Sequence, residues 1–379
     1  MPLPFIIAGA ALAAGSYGVK KGIDGYKSHA EADEIVKKAT ERYEGKKHAF
    51  EVVDKKTQSE LERLGTLELD IGKSFDQFKT LADSLLEQIN RDRQDKLTIN
   101  FPKHEMEKIE EYRFTTLGVL GSVAGAGAAG AAAGFAIYGG VMSLAAASTG
   151  TAISSLSGVA AYNATLAAIG GGSLATGGLG MAGGTAILGA AVAAPVLAIA
   201  GWAYANHGEN ALENANKASK EVDEAIKKMT SAIDVLSETE KYAIKIRQSL
   251  DSIFINFNQY FDKLKDINQL IESSKKLGLE SGFETGKISN EIILNIENGY
   301  ALAAILTNII TTPIFKLKTV NNGSFVVSNN GEASVTSYVK DDNGVPVMDK
   351  DSNGLMIINK NAIDNVISES HSQMTLQPI

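Results

Sequence analysis

Apolar positions recur at intervals of three and four along two long stretches of the chain. In the first, Ile35, Val36, Ala39 and Tyr43 begin a stripe that resumes as Leu61, Leu64, Leu67, Ile71, Phe75, Phe78, Leu81, Leu85 and Ile89. In the second, Leu212, Ala215, Val222, Ala225, Ile226, Met229, Ile233 and Leu236 lead into Ala243, Ile246, Leu250, Ile253, Phe254, Phe257, Phe261, Leu264, Ile267 and Ile271. Such spacing gathers apolar side chains on one face of an α-helix or in a coiled-coil seam. It predicts a first long amphipathic flank over 28–113 and a second within 207–318. No proline stands between Pro4 and Pro102, so nothing forces a break, although Gly45, Gly65 and Gly72 are expected to weaken the first helix. Asn100-Phe101-Pro102 reads as a turn, after which Lys103 to Arg113 continues helically. Each stripe needs a partner, and the two flanks are expected to pair antiparallel, each covering the other.

Between the flanks charge is absent. The 93 residues from Phe114 to Asn206 contain no Asp, Glu, Lys, Arg or His, in a chain that is 21% charged. Something must take this stretch out of water: a bilayer, the protein's own helices, or further copies. Apolar helices fit about 116–147, 152–169 and 182–206. A turn fits Ser148 to Thr151, another break Gly177-Gly178, and a hairpin reversal falls at Gly170, Gly171, Gly172 and Ser173. Gly121 and Gly125, Gly130 and Gly134, and Gly180 and Gly184 are each four apart, a spacing that lets helix backbones approach closely in lipid. Trp202 and Tyr204 stand near the point where charge resumes, as interfacial aromatics do. These six glycines with Trp202 and Tyr204 are the candidate membrane-insertion positions, and Gly170 to Ser173 the candidate reversal. Alanine and glycine gain little on entering lipid, so the composition favours conditional insertion over permanent residence. The competing reading is a Gly/Ala core packed beneath the amphipathic helices.

The ends carry their own patterns. Pro2 to Val19 is an uncharged small-residue run followed by Lys20 and Lys21, within an N-terminal apolar helix over 1–27. It fits a membrane-inserted or membrane-abutting helix, a helix packed on the central block, or a cleaved signal. A further helix is expected from Ser289 to Thr312, stopped by Pro313 and packed against the flanks. Over 319–379 the period changes to two. Ser324 to Ser328 and Ala333 to Val339 alternate around Asn329-Asn330-Gly331, and Asn343-Gly344 and Asn353-Gly354 are further hairpin signals. A small β-hairpin module is expected there, with a short helix over 361–370. Asp349, Asp351 and Asn353 match the first half of an EF-hand loop. Its twelfth position is Lys360, where a bidentate Glu is required, so a plain turn is the preferred reading.

Composition removes several classes of chemistry. The net charge of −8 argues against nucleic acid as a partner. There are no cysteines, and the five histidines show no metal-ligand spacing. No phosphate-binding glycine loop, dinucleotide fingerprint or nucleophile elbow occurs, so no catalytic residue, metal or cofactor is expected. The fold class read from these patterns is mainly α: long antiparallel amphipathic helices, a Gly/Ala-rich apolar helical hairpin, and the small β tail.

Over residues 28–318, this order of long helix, apolar hairpin and long helix resembles the α-helical pore-forming toxins of the cytolysin A, haemolysin BL and xenorhabdolysin group. The likeness is architectural and carries no residue motif. It implies a bundle that shields an apolar element until release into a membrane, followed by homo-oligomerisation. The apolar block here is about twice a simple hairpin, and a second apolar segment stands at the N-terminus. The Gly/Ala-rich run from Ser148 to Gly189 also resembles segments of uncharacterised bacterial proteins, which implies a bacterial origin. The expected function is therefore a membrane-inserting, pore-forming or permeabilising protein, toxin or effector, with a lipid membrane as partner. Its membrane association is expected either on the cytoplasmic, inner-membrane side or after secretion. The alternatives are a non-lytic membrane-anchored scaffold that recruits a protein through its helical stalk or tail, and a soluble helical interaction protein with the block permanently buried.

Overall fold

A computed structural model describes residues 19–91, 94–123, 132–137, 211–277, 286–319, 339 and 347–376. Five named helices account for most of them: α1 (Val19–Asn90), α2 (Lys103–Val123), α3 (Ala211–Lys276), α4 (Gly286–Ile310) and α5 (Lys360–Leu376). The chain forms two compact units, one of Met1–His48 with Ala191–Met229, the other of Ala49–Ala190 with Thr230–Ile379.

Buried residues along α1 follow a heptad rhythm. Leu61, Leu64, Glu68, Ile71, Phe75, Phe78, Ala82 and Leu85 alternate steps of three and four, and all are buried. Leu67 and Leu81, expected in the stripe, lie only at the edge of the core. Their neighbours Glu68 and Ala82 hold the central positions instead. Along α3 the same rhythm runs through Ala232, Leu236, Thr239, Ala243, Ile246, Leu250, Ile253 and Phe257 in the second unit. The first unit continues the pattern with Ala32, Val36, Ala39 and Tyr43 of α1 and Ala211, Ala215, Val222, Ala225 and Met229 of α3.

The pairing direction of the two flanks corrects the expectation. In the first unit Arg42 bonds to Asp223 and Ser219, separations of 181 and 177 residues. In the second unit Thr57 donates to the Leu236 carbonyl at a separation of 179, and Arg247 reaches Glu60 at 187. Partner numbers that rise together belong to parallel helices; antiparallel ones would have a near-constant sum. Within each unit α1 and α3 therefore run parallel. The antiparallel place on α1 is taken by α2, whose Tyr112 hydroxyl donates to the Glu68 carbonyl and whose Arg113 pairs with Asp76. Helix α4 runs with α2: Glu297 accepts from the Asn100 N–H and Lys108 approaches Asn308, at separations of 197 and 200. The second unit is thus an up-down-up-down bundle.

The α1–α2 reversal is fastened by one side chain. Asn90 accepts from the Leu97 N–H at 2.8 Å and donates to its carbonyl at 2.9 Å. Phe101 then packs on Tyr300, with ring centres 5.7 Å apart, and α2 starts after Pro102.

An aromatic layer joins the bundle's helices. Phe78 meets Phe261 at 5.8 Å and Tyr300 at 5.2 Å edge-to-face, and Phe75 meets Phe257 at 5.4 Å. Glycine makes room for it, since a Cβ on Gly299 would overlap the Phe78 ring. Residues Ile288–Ile310 are long and apolar enough to cross a membrane, yet most are buried within the bundle, and Leu302 to Leu306 are buried on every side. A helix apolar all round belongs in a core when others enclose it, so α4 packs against the flanks as expected. Pro313 follows it, and having no N–H it cannot extend the helix.

The tail differs from the hairpin module expected. Among the described residues it contains isolated antiparallel bridges, Phe315 to Ile358, Leu317 to Met348 and Lys350 to Met356, and no strand. The segments between turn and helix are too short for a longer ladder, and Met348, Leu355, Met356 and Ile358 are buried. Asn353-Gly354 does form a turn. Asp351 Oδ1 accepts from the Asn353 and Leu355 N–H groups, each at 2.8 Å, and Gly354 has φ +79°. Asp351 thus caps the turn, and among the described residues no cluster of three or more His, Cys, Asp or Glu could hold a metal. The signals at Asn329 to Gly331 and Asn343-Gly344 lie outside the described residues. Helix α5 covers the expected 361–370 and docks along α3, with Lys245 paired to Asp364 at 2.7 Å and Lys360 to Glu238.

Two glycines of α1 make opposite predictions. A Cβ on Gly65 would overlap the Ala132 backbone, whereas one on Gly45 meets nothing. Gly65→Ala is expected to cost about 1–3 kcal/mol by overpacking, and Gly45→Ala to add up to about 1 kcal/mol through helix propensity. Urea denaturation monitored by circular dichroism measures both.

Candidate functional site

The uncharged stretch begins inside the bundle. Its first ten residues, from Phe114, belong to α2, and residues 132–137 form a helical segment in which Ala132, Gly134, Phe135, Ala136 and Ile137 are buried. The sequence places no charge in this segment, and burial against α1 takes it out of water.

Glycine makes this seat on α1. A Cβ at Gly65 would overlap the carbonyl of Ala132, and one at Gly72 would overlap the Thr116 side chain. Gly65 and Gly72 are seven residues apart, so both lie on one face, with Glu68 between them. Missing side chains let the returning backbone approach as small residues do in any close helix crossing. On α2, Ile109, Tyr112, Thr116 and Val119 step by three and four, and all are buried. The Tyr112 hydroxyl reaches the Glu68 carbonyl at 2.6 Å, and Phe135 lies 6.1 Å from the Tyr112 ring. Thr116 returns its hydroxyl to the Tyr112 carbonyl, so it introduces no unsatisfied donor.

Arg113, the last charged residue before the stretch, holds α2 to α1. Its guanidinium bonds to Asp76 Oδ1 and, through two nitrogens, to Glu110 Oε2 at 3.1 and 2.7 Å. It also lies 4.4 Å from the centre of the Phe114 ring. Lys79 extends the cluster to Asp83 and Glu110. Burial opposes the charge on Arg113, but the bonds to Glu110 and Asp76 outweigh it and leave its pKa raised.

Glu68 is the anomaly in the seat. It is 3% exposed, and its Oε2 has no hydrogen-bond partner. Burial pushes its carboxyl well above the usual value of 4.5, because a carboxylate loses its hydration there. Asp54, 8% exposed and two heptads earlier, is a second such acid, with Oδ1 unpartnered and its pKa raised by burial. Sequence reasoning missed both, because a carboxylate interrupting an apolar stripe reads as its solvated border.

Of the residues expected to drive insertion, Gly134 is buried in the seat and Gly121 lies on the exposed side of α2 with open space beside it. Phe114 and Leu120 share that helix and are 45% and 37% exposed. Gly125, Gly130, Gly180, Gly184, Trp202, Tyr204 and the reversal at Gly170, Gly171, Gly172 and Ser173 lie outside the described residues, as does the apolar run from Pro2 to Gly18. No family model, curated protein or solved structure matches the chain.

Replacing Arg113 by Met keeps an unbranched side chain but removes the guanidinium, and with it the bonds to Asp76 and Glu110. It is expected to cost about 1.5–3 kcal/mol in denaturant unfolding, the range for hydrogen bonds involving charged groups.

Proposed function

We propose that this chain is a membrane-inserting helical protein that permeabilises a lipid bilayer. In this reading residues 114–206 are the insertion element, folding in lipid as apolar helices that reverse near Gly170 to Ser173. The bundle of α1 to α4 shelters the start of that element in solution and serves as the stalk on which copies assemble after release. One observation carries the reading: a stretch of 93 residues without a charge begins on a helical bundle, where its described part is seated by close glycine contacts and by the buried side chains of Val119, Phe135 and Ile137. The architecture fits the bacterial toxin or effector suggested by the layout of the sequence.

A second reading is supported by apolar residues facing water elsewhere. Leu270 and Leu277 near the end of α3 are 64% and 74% exposed, and Leu294 of α4 is 57% exposed. They suit a membrane-anchored scaffold that recruits a protein through its stalk without lysis.

Dye release from liposomes separates the two. The intact chain is expected to empty vesicles in a dose-dependent way. Ala164→Arg adds a charge within the uncharged stretch, 27 residues after Ile137 in sequence. It is expected to lower leakage about a hundredfold, from a cost of about 2.5–3.5 kcal/mol for Arg at a helix centre in lipid. Its circular dichroism should match that of the parent. Absence of leakage at every protein concentration and pH, with the chain still sedimenting with vesicles, would instead establish the scaffold.

A further inference from the structure

Residues 132–137 are the described part of the uncharged stretch that leaves α2, and an unpartnered acid stands at each end of their seat. At one end the Ala132 backbone rests on Gly65, one turn from Glu68, whose buried Oε2 has no partner. At the other end Ile137 lines a small cavity with Asp54, Thr57, Gln58, Leu61, Val235, Leu236, Thr239, Phe315 and Met356. Its volume is about 30 Å³, and Asp54 Oδ1 has no partner there. That is room for a single water. Asp54 and Glu68 are two heptads apart on α1, so one face carries both.

The surrounding charges are engaged elsewhere. On α1 itself, Glu60 pairs with Arg63 and Arg247, and Asp76 with Arg113. On α2, Glu110 holds Arg113 and Lys79, Glu105 holds Lys108 and His104, and the Glu111 carbonyl accepts from the Thr115 hydroxyl. On α3, Arg247 pairs with Glu60 and Asp251, and Glu238 with Lys360 and Lys241. On α4, Glu297 accepts from the Asn100 N–H. The cavity's lining from the tail, Phe315 and Met356, is apolar, and residues 132–137 bring no charge. Burial is the only cause shifting either acid.

We propose that Asp54 and Glu68 form a proton-operated latch: residues 132–137 dock on α1 while both carboxyls are neutral, and ionisation of the pair releases them. This inference deepens the membrane reading and rests on it for the purpose of release. A carboxylate without a counter-charge is costly in a dry seam. When the segment departs, water reaches both acids and that cost disappears. The direction follows from linkage. A carboxyl whose pKa is higher in the docked state supports docking fully below its undocked value, for which the ordinary values are 3.8 for Asp and 4.5 for Glu. That support is lost as pH rises through the docked values. Release is therefore promoted by rising pH, opposite to the acid trigger that protonation of a surface carboxylate would give.

Hydrogen exchange of the full chain, without lipid and between about pH 5 and 8, tests the latch. After correction for intrinsic rates, protection of 132–137 is expected to fall with pH relative to 246–257 of α3. The fall should be about tenfold for each unit by which docking raises a carboxyl. The Asp54→Asn/Glu68→Gln double variant should show protection that no longer changes with pH, and each single variant part of the fall. Protection independent of pH in the parent chain overturns the proposal, as does an undiminished pH dependence in the double variant or, if that variant does not fold, in both single variants. Because no membrane is present, failure of dye release with the exchange result intact would remove the permeabilising reading and leave the latch standing.

Discussion

Close approach of two backbones at Gly65 and Gly72 underlies much of the second unit. Those positions let α2 and residues 132–137 lie antiparallel on α1 with a carbonyl and a threonine where side chains would otherwise stand. The Tyr112 hydroxyl can then reach the Glu68 carbonyl, and Arg113 can lie between Asp76 and Glu110. It also accounts for the direction of α3. Once the returning chain occupies the antiparallel face of α1, the next long helix takes a parallel one, with Thr57 against Leu236 and Phe75 against Phe257.

The long helices and their buried faces were legible because three-and-four spacing survives in the structure. The reading slipped by one residue at two points, taking Leu67 for Glu68 and Leu81 for Ala82. An isolated sequence ranks Leu above Glu or Ala for burial, and only the neighbours decide where the seam runs. Direction was not legible, since an apolar stripe looks the same from a parallel or an antiparallel partner. It depends on particular pairs such as Arg42 with Asp223. Gly65 and Gly72 read as weak points in a helix, which follows from backbone entropy. Their use as contact points depends on another segment arriving there. In the tail, Asn353-Gly354 marked a real turn, and the described residues around it form isolated bridges. The candidate site was legible only as the uncharged stretch itself. The acids beneath it lie on α1, outside the pattern that drew attention.

The seat sacrifices stability that an ordinary core would keep. A leucine at position 68 would continue the heptad of Leu64, Ile71 and Phe75 without an unpartnered oxygen, and Asp54 could be replaced in the same way. A polar residue in a seam can specify register at the expense of stability. Here that expense is concentrated beside residues 132–137 of the uncharged stretch. The contacts tying the remaining helices together do not include residues 132–137: Phe78 against Phe261 and Tyr300, Phe75 against Phe257, and α5 against α3 through Lys245 and Asp364. Departure of residues 132–137 would remove the Gly65 contact and the Phe135–Tyr112 ring contact but leave the aromatic layer joining α1, α3 and α4 intact. A fold that keeps such a layer when one short segment leaves can open locally without unfolding globally. The proposed conditional insertion would require local opening of this kind, because a bundle that unfolded when it released its apolar stretch would have no stalk left to act from.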